Sequence, residues 1–330
     1  MALQAAVKER RPLGMVAVLA VVVGMLVVRS ASHTPAVLVP EAAAVTGGML
    51  VWRLPLFTNR PLQLVGTIVL AAFAGVEVAR YLEPTLPGHA SALAIVATFV
   101  GLLLLLAVLT SPAIPAISAG LLPVYLHITS PWYVVAVAVA MAPAAILTAR
   151  TVGAPRRRLR LSGADALRIG ATTSMLLVAA TLVNSFAALP PLFVAAAETA
   201  LAPREPRWPE VPARAGTLVS GFAVAVVLRS ALPAPLVGTL AVAVALAIAT
   251  WLGVRLPPAL AYALVPLLFP PTEMVELGVF GLVGVTIATL WPPALARLLA
   301  VGQRHAASIA LVQRKQPAAM SDNVEAEEAE

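Results

Sequence analysis

The chain contains no cysteine, which excludes disulfides, thiolate metal sites and cysteine nucleophiles. Aspartate is nearly absent: only Asp165 and Asp322 occur, and both lie outside the apolar runs. Four histidines, His33, His89, His127 and His305, are scattered, and no pair has the spacing of two metal ligands on one helix face. Charge is scarce. Only 11% of the 330 residues are Asp, Glu, Lys or Arg, against about 25% in soluble domains. The Gly-x-Ser-x-Gly elbow, the phosphate loop, the His-Glu-x-x-His helix and an acidic pair suited to magnesium-held diphosphate are all missing. These absences remove the common routes to hydrolysis and phosphoryl transfer. The expectation is a protein that is not an enzyme and carries no cofactor and no metal.

Apolar sequence takes up the space. Hydrophobic residues make up 60% of the chain, and long apolar runs recur from Leu13 to Leu299. An all-α, polytopic transmembrane helix bundle is expected. The formal charge of +7 does not signal nucleic acid, because no basic run is interleaved with aromatics. The arginines collect between apolar runs instead, as the positive-inside rule requires. Lys8-Glu-Arg-Arg11 followed by an apolar run to Val28 resembles a signal peptide, but the run ends in Arg29 and has a counterpart in Gly170 to Ala187. A retained first helix is the better reading.

One proline-punctuated segment occurs twice. Pro115-Ala-Ile-Ser-Ala-Gly-Leu-Leu-Pro123 through Thr129 aligns without a gap on Pro258-Ala-Leu-Ala-Tyr-Ala-Leu-Val-Pro266 through Thr272, at an offset of 143 residues. Both prolines and the final threonine are kept in register. Apolar runs before and after it also match in order, which predicts two repeats of about six segments each. The first has Leu13–Val28, Thr34–Val51, Leu62–Ala79, Ala90–Leu109, Pro112–Leu126 and Trp132–Thr148. The second has Gly170–Ala187, Leu189–Ala202, Thr217–Leu232, Leu236–Val254, Leu256–Phe269 and Val275–Leu295. The implied organisation is a first membrane repeat over 1–155, an Arg-rich cytoplasmic linker over 156–166, a second membrane repeat over 167–300 and a disordered cytoplasmic tail over 301–330.

Two segments of each half are unusual: the second is broken by prolines, Pro35 and Pro40 or Pro190 and Pro191, and the fifth is short and broken by Pro115 and Pro123 or Pro258 and Pro266. Proline removes a helical hydrogen bond, and freed backbone groups in hydrocarbon need partners in protein or water. These segments are expected to be broken helices in the interior of the bundle. Placing the N-terminus inside puts Arg53, Arg60, Arg204, Arg207, Arg214, Arg255, the linker arginines and the C-terminal arginines on one side only if the short segments cross. Arg29, Arg80 and Arg229 then fall outside, near segment ends where they can snorkel. An even number of crossings makes the repeats parallel, with both termini cytoplasmic in the cell inner or plasma membrane.

Ionisable groups within spans are costly and point to function. Glu41 lies in the broken second segment, and Glu198 in its counterpart; with a small gap the two are pseudo-equivalent. Glu77 stands three residues before Arg80, a spacing that suits an intrahelical pair. Thr172, Thr173 and Ser174, and Asn184 and Ser185, are polar neutral groups expected to bond their own backbone or a neighbouring helix. His127 is expected at a membrane surface, and Trp52, Trp132, Trp208 and Trp291 in interfacial belts. The candidate solute or ion site comprises Glu41, Glu198, Pro115 and Pro258.

The second half also resembles a known family. Pro203-Arg-Glu-Pro-Arg207 precedes a span, and after the next span come Arg255-Leu-Pro-Pro-Ala-Leu-Ala-Tyr-Ala-Leu-Val-Pro266, a final span and Arg297. This resembles the transmembrane region of the HPP family, integral membrane proteins named for a His-Pro-Pro signature followed by Ala-Gly-Ala. Pro257, Pro258, Ala259 and Ala261 match, with Leu256 at the His and Leu260 at the Gly. In the first half Ile114, Pro115 and Ala116 occupy the corresponding places. Some members of that family are regarded as nitrite transporters, so the resemblance implies a transporter-like role. The expected function is a permease or secondary transporter of a small solute, an anion among the candidates; a non-transporting membrane scaffold or regulatory subunit is the alternative. The expected surroundings are the lipid bilayer and the solute, without nucleic acid, with a homo-oligomer left open.

Overall fold

The computed structural model describes residues 2–32, 37–82, 91–109, 111, 113–151, 163–182, 189–200 and 208–314. Among them there is no strand. The first half comprises α1 (Ala2–Ser32), α2 (Pro40–Thr46, continued by a π-helical turn Gly47–Val51), α3 (Pro55–Thr58), α4 (Pro61–Glu77, continued by a π turn Val78–Leu82), α5 (Ser91–Val108), α6 (Pro115–Tyr125) and α7 (Trp132–Thr151). The second comprises α8 (Gly163–Leu182), α9 (Pro190–Ala200), α10 (Val211–Leu228), α11 (Ala234–Trp251), α12 (Pro258–Tyr262, followed by a 3₁₀ turn Val265–Leu267) and α13 (Met274–Arg314). Pro35, Asn184, Ser185, Arg204, Arg207 and the linker residues 156–162 lie outside the described residues.

Six of these helices are long and apolar enough to cross a bilayer. Their outward faces carry large apolar side chains, among them Leu13, Val139, Val227 and Val275. Apolar surface of this extent is costly in water and matches hydrocarbon. The protein is an integral membrane helix bundle.

The four short segments lie in its middle. All of α2 is buried, as are all of α12 and Pro115–Val124 of α6. At ~1.5 Å per residue, the 11 residues of α6 or α9 span only ~16 Å, about half of a ~30 Å hydrocarbon layer. Each of the four begins on a proline. At the first helical position the missing N–H is one that the helix leaves unpaired anyway, and the fixed φ suits a helix start. Pro40, Pro115, Pro190 and Pro258 therefore initiate helices rather than break them, which corrects the expectation for those positions.

The second proline of each copy has two outcomes. Pro123 lies inside α6 and cannot donate to the carbonyl of Ala119, four residues back. Tyr133 of α7 donates its hydroxyl to that carbonyl at 3.1 Å, and α6 runs on to Tyr125. No tyrosine stands at the matching place in the second copy, where Glu276 follows Pro258 at the same interval. There the α-helix stops at Tyr262, and Pro266 falls in the 3₁₀ turn.

Packing contacts give the helix directions. The face at which the apolar run of α1 starts is called here the near face. Gly14, early in that run, abuts the backbone of Leu50 and Val51, so α2 and its π turn run back to the near face. α4 starts there and runs to the far face. Thr67 bonds Ser111 at 3.3 Å, and Gly75 abuts the backbone of Gly120, so α6 runs alongside α4 in the same direction. In the second half, Arg214 near the start of α10 bonds Thr199 near the end of α9, and Gly221 packs on Ala263 just after α12. Gly238, near the start of α11, meets Leu26 of α1 together with Leu264 and Leu267. α10 therefore also runs from the near to the far face, as α4 does. The small-residue contact Gly75 to Gly120 between α4 and α6 recurs as Gly221 to Ala263 between α10 and the end of α12.

The short helices exchange between halves. α2 packs on α12, and α6 packs on α9. At the far end, Tyr125 and Phe269 meet edge to face at 6.4 Å, one from the end of each repeated segment. Two further expectations are corrected. Trp52 is buried, its ring folded over Gly47, rather than standing in an interfacial belt; Trp251, at the end of α11, is 80% exposed. α13 stays helical to Arg314, into the stretch assigned to a disordered tail; residues 315–330 lie outside the described residues.

Candidate functional site

Glu41 is the second residue of α2 and is only 1% exposed. Pro40 starts the helix after the non-helical residues Leu38 and Val39, which are fully buried. This buried start places the carboxylate deep in the bundle. Ser118 of α6 donates its hydroxyl to Glu41 Oε1. The phenol of Tyr133 stands within charge range of it. Glu41 Oε2 has no hydrogen-bond partner among the described residues, and neither has Thr46 Oγ1 on the same helix. An unpaired buried polar atom costs roughly 1–3 kcal/mol. α2 thus carries two unsatisfied polar groups into an otherwise apolar core.

Glu198 sits elsewhere. It is the ninth residue of α9, whereas Glu41 is the second of α2. Seven helical positions amount to ~10 Å along an axis. The two carboxylates are therefore not equivalent: Glu198 lies toward the near face, within charge range of Arg214. Arg214 Nη2 donates to Thr199 Oγ1 at 2.6 Å, while Glu198 Oε1 and Arg214 Nε are buried without hydrogen-bond partners among the described residues. Glu198 thus stands beside the half-buried Arg214, and no ion pair forms between the two.

Pro115 and Pro258, both buried, start α6 and α12. Pro115 sets the helix that presents Ser118 to Glu41. Pro258 sets the helix whose Leu260 packs on Gly47 of α2. Gly47 and Gly48 are thereby explained by close packing, the second against the Phe57 ring. Ser118 and Tyr133 were not singled out in the sequence. The signal for Ser118 was its place three residues after a repeated proline.

Glu77 forms no ion pair with Arg80, whose guanidinium stands 5.8 Å over the Tyr81 ring. The helix widens to a π turn from Val78, which breaks the i,i+3 alignment. Thr173 bonds the carbonyl of Ile169 at 2.7 Å, within its own helix. His127 is exposed at the end of α6 with φ of 53°, and Ile128 N–H closes the helix end on Pro123 O at 2.8 Å.

A groove of about 570 Å³ opens between α1 and α7, lined by Val21, Gly24, Met25, Val28, Trp132 and Val139 among others. It is apolar, and neither Glu41 nor Glu198 lines it. Among the described residues no group of three His, Asp or Glu side chains stands close enough to hold a metal ion. No family model matches the chain, and neither does any curated protein or solved structure.

Proposed function

We propose that the chain is a secondary transporter or permease of a small solute, built from two parallel repeats around a pseudo-two-fold axis. The observation that carries this reading is the exchange of short helices between halves, α2 on α12 and α6 on α9. Short helices buried at a repeat interface are where transporters built in this way bind their cargo. The shared direction of α4 and α10 supports parallel repeats. The arginines Arg53, Arg60, Arg150 and Arg255 border the near face, which supports its assignment to the cytoplasm. The resemblance to the HPP family implies the same class of role.

On this reading Glu41, held by Ser118, takes up a proton or cation as the solute binds. Its complete burial corresponds to a state closed to both faces, and rocking of one half against the other opens each in turn. The test is solute uptake into proteoliposomes under an imposed proton gradient. Glu41→Gln is expected to abolish the dependence on the gradient. Unchanged pH dependence in Glu41→Gln refutes the coupling role, and a lack of flux with every small anion and cation tried refutes transport.

One observation favours the second reading, a membrane scaffold. At ~1.5 Å per residue the 41 residues of α13 extend ~60 Å, twice the hydrocarbon thickness. Its apolar part ends at Leu295, leaving 296–314 to project from the near face. Stoichiometric capture of a partner that is lost when 302–314 are deleted, without flux by the isolated protein, supports this alternative.

A further inference from the structure

Two arginines approach each other at the far face. Arg29 lies in the last turn of α1, and Arg229 caps the end of α10. One comes from each half of the chain. Leu26, three residues before Arg29, packs on Gly238 at the start of α11. Residues three apart share a helix flank, so Arg29 is carried toward the turn that joins α10 to α11, where Arg229 stands. The two guanidinium groups are within direct charge range of each other.

Each keeps a buried Nη1 with no hydrogen-bond partner among the described residues. No carboxylate among those residues forms an ion pair with either group. Four other arginines differ: Arg60 bonds Gln63 at 3.1 Å, Arg80 covers Tyr81, Arg214 bonds Thr199, and Arg297 stacks on Trp208 at 5.0 Å. Like charges brought together with donors left open cost free energy unless an anion sits between them. A guanidinium presents a planar fork of N–H donors that fits two oxygens of one oxyanion.

We propose that Arg29 and Arg229 form an oxyanion site of phosphate type at the far face, with one arm from each half. The phosphate belongs to a phospholipid headgroup or to a free inorganic anion; the recognition chemistry is the same. The site does not depend on the transport reading. Its occupancy ties α1 of the first half to the turn between α10 and α11 of the second.

The test uses the full chain in neutral detergent, titrated with sodium phosphate at constant ionic strength. A parallel series adds phosphatidylglycerol to the same phosphate-free detergent micelles in place of sodium phosphate. Thermal unfolding midpoints are compared for wild type, Arg29→Gln, Arg229→Gln and the exposed control Arg255→Gln. Wild type and the control are expected to gain several degrees with anion, and both site variants to lose most of that gain. Without anion, neither site variant is expected to unfold before wild type, because the repulsion is gone. A response to phosphate in detergent assigns a soluble anion; a response to phosphatidylglycerol alone assigns a headgroup. No response of wild type to either probe overturns the site, as does an undiminished response of Arg29→Gln and Arg229→Gln. Should the Gln variants not fold, Arg29→Lys and Arg229→Lys replace the fork by a point charge. These are expected to weaken the apparent affinity several-fold, and an affinity equal to that of wild type overturns the site.

Discussion

The closest backbone approach in the first half can be tested with a single methyl group. A Cβ added at Gly75 of α4 meets the carbonyl oxygen of Gly120, with the carbonyl carbon at 2.8 Å and Cα at 3.0 Å. Unstrained carbon pairs sit ~3.5–4.0 Å apart. The obstacle is backbone on a buried helix, not the tip of a flexible side chain, so α4 and α6 must move apart by ~1 Å. A gap of that size forfeits roughly a quarter to a half of the dispersion energy along the contact. Overpacking of this kind costs ~1–3 kcal/mol. The control lies on the same helix. Gly66 is nine residues earlier, on the opposite face, and an added Cβ there meets nothing within 4 Å. Gly66→Ala should gain up to ~1 kcal/mol from helix propensity. The difference between Gly75→Ala and Gly66→Ala is therefore expected to be ~2–4 kcal/mol. The assay is reversible unfolding in mixed micelles against SDS mole fraction, followed by far-UV circular dichroism. Equal midpoints for the two variants would refute the α4–α6 contact and the helix direction derived from it.

Two further substitutions probe the ends and the interior of α6. Tyr133→Phe removes the donor to Ala119 O and should destabilise by ~1–3 kcal/mol; in a Pro123→Ala background, where the alanine restores an N–H to that carbonyl, the cost should shrink, and an unchanged cost in the double-mutant cycle would count against the rescue. His127→Gly should stabilise by ~0.5–1 kcal/mol in the same unfolding assay, because His127 holds a φ of 53° that a β-carbon opposes; a loss of stability would show that its side chain contributes more than the backbone strain costs.

Much of the architecture was legible because hydrophobicity and proline act locally. Run length located the long helices, and the paired prolines marked the short ones at Pro40, Pro115, Pro190 and Pro258. What proline does at each place was less legible. A proline that starts a helix and one that interrupts it look alike in a sequence, and the fate of Pro123 depends on a phenol ten residues on that must fold back. The site was half legible. Glu41 is conspicuous as a carboxylate in an apolar run, but its partner Ser118 is 77 residues away. Glu198 looked equivalent to Glu41 because a small gap is free in an alanine-rich alignment, whereas a helix fixes position by its proline start. Trp52 likewise followed no local rule: the open surface of Gly47 drew it inward.

The exchange of short helices also bears on the order of synthesis. The face of α2 that α12 covers is made long before its cover, since Pro258 follows Thr46 by 212 residues. At ~5–20 residues per second, that interval is roughly 10–40 s on the ribosome. During it the first half stands in the bilayer with its central helices uncovered and Glu41 without its final enclosure. A nascent chain in that condition invites insertion factors, lipid or a second nascent copy to occupy the gap. The same interlock means that neither half expressed alone has its central helices covered, whereas co-expression of the two as separate chains supplies every contact that the intact protein has.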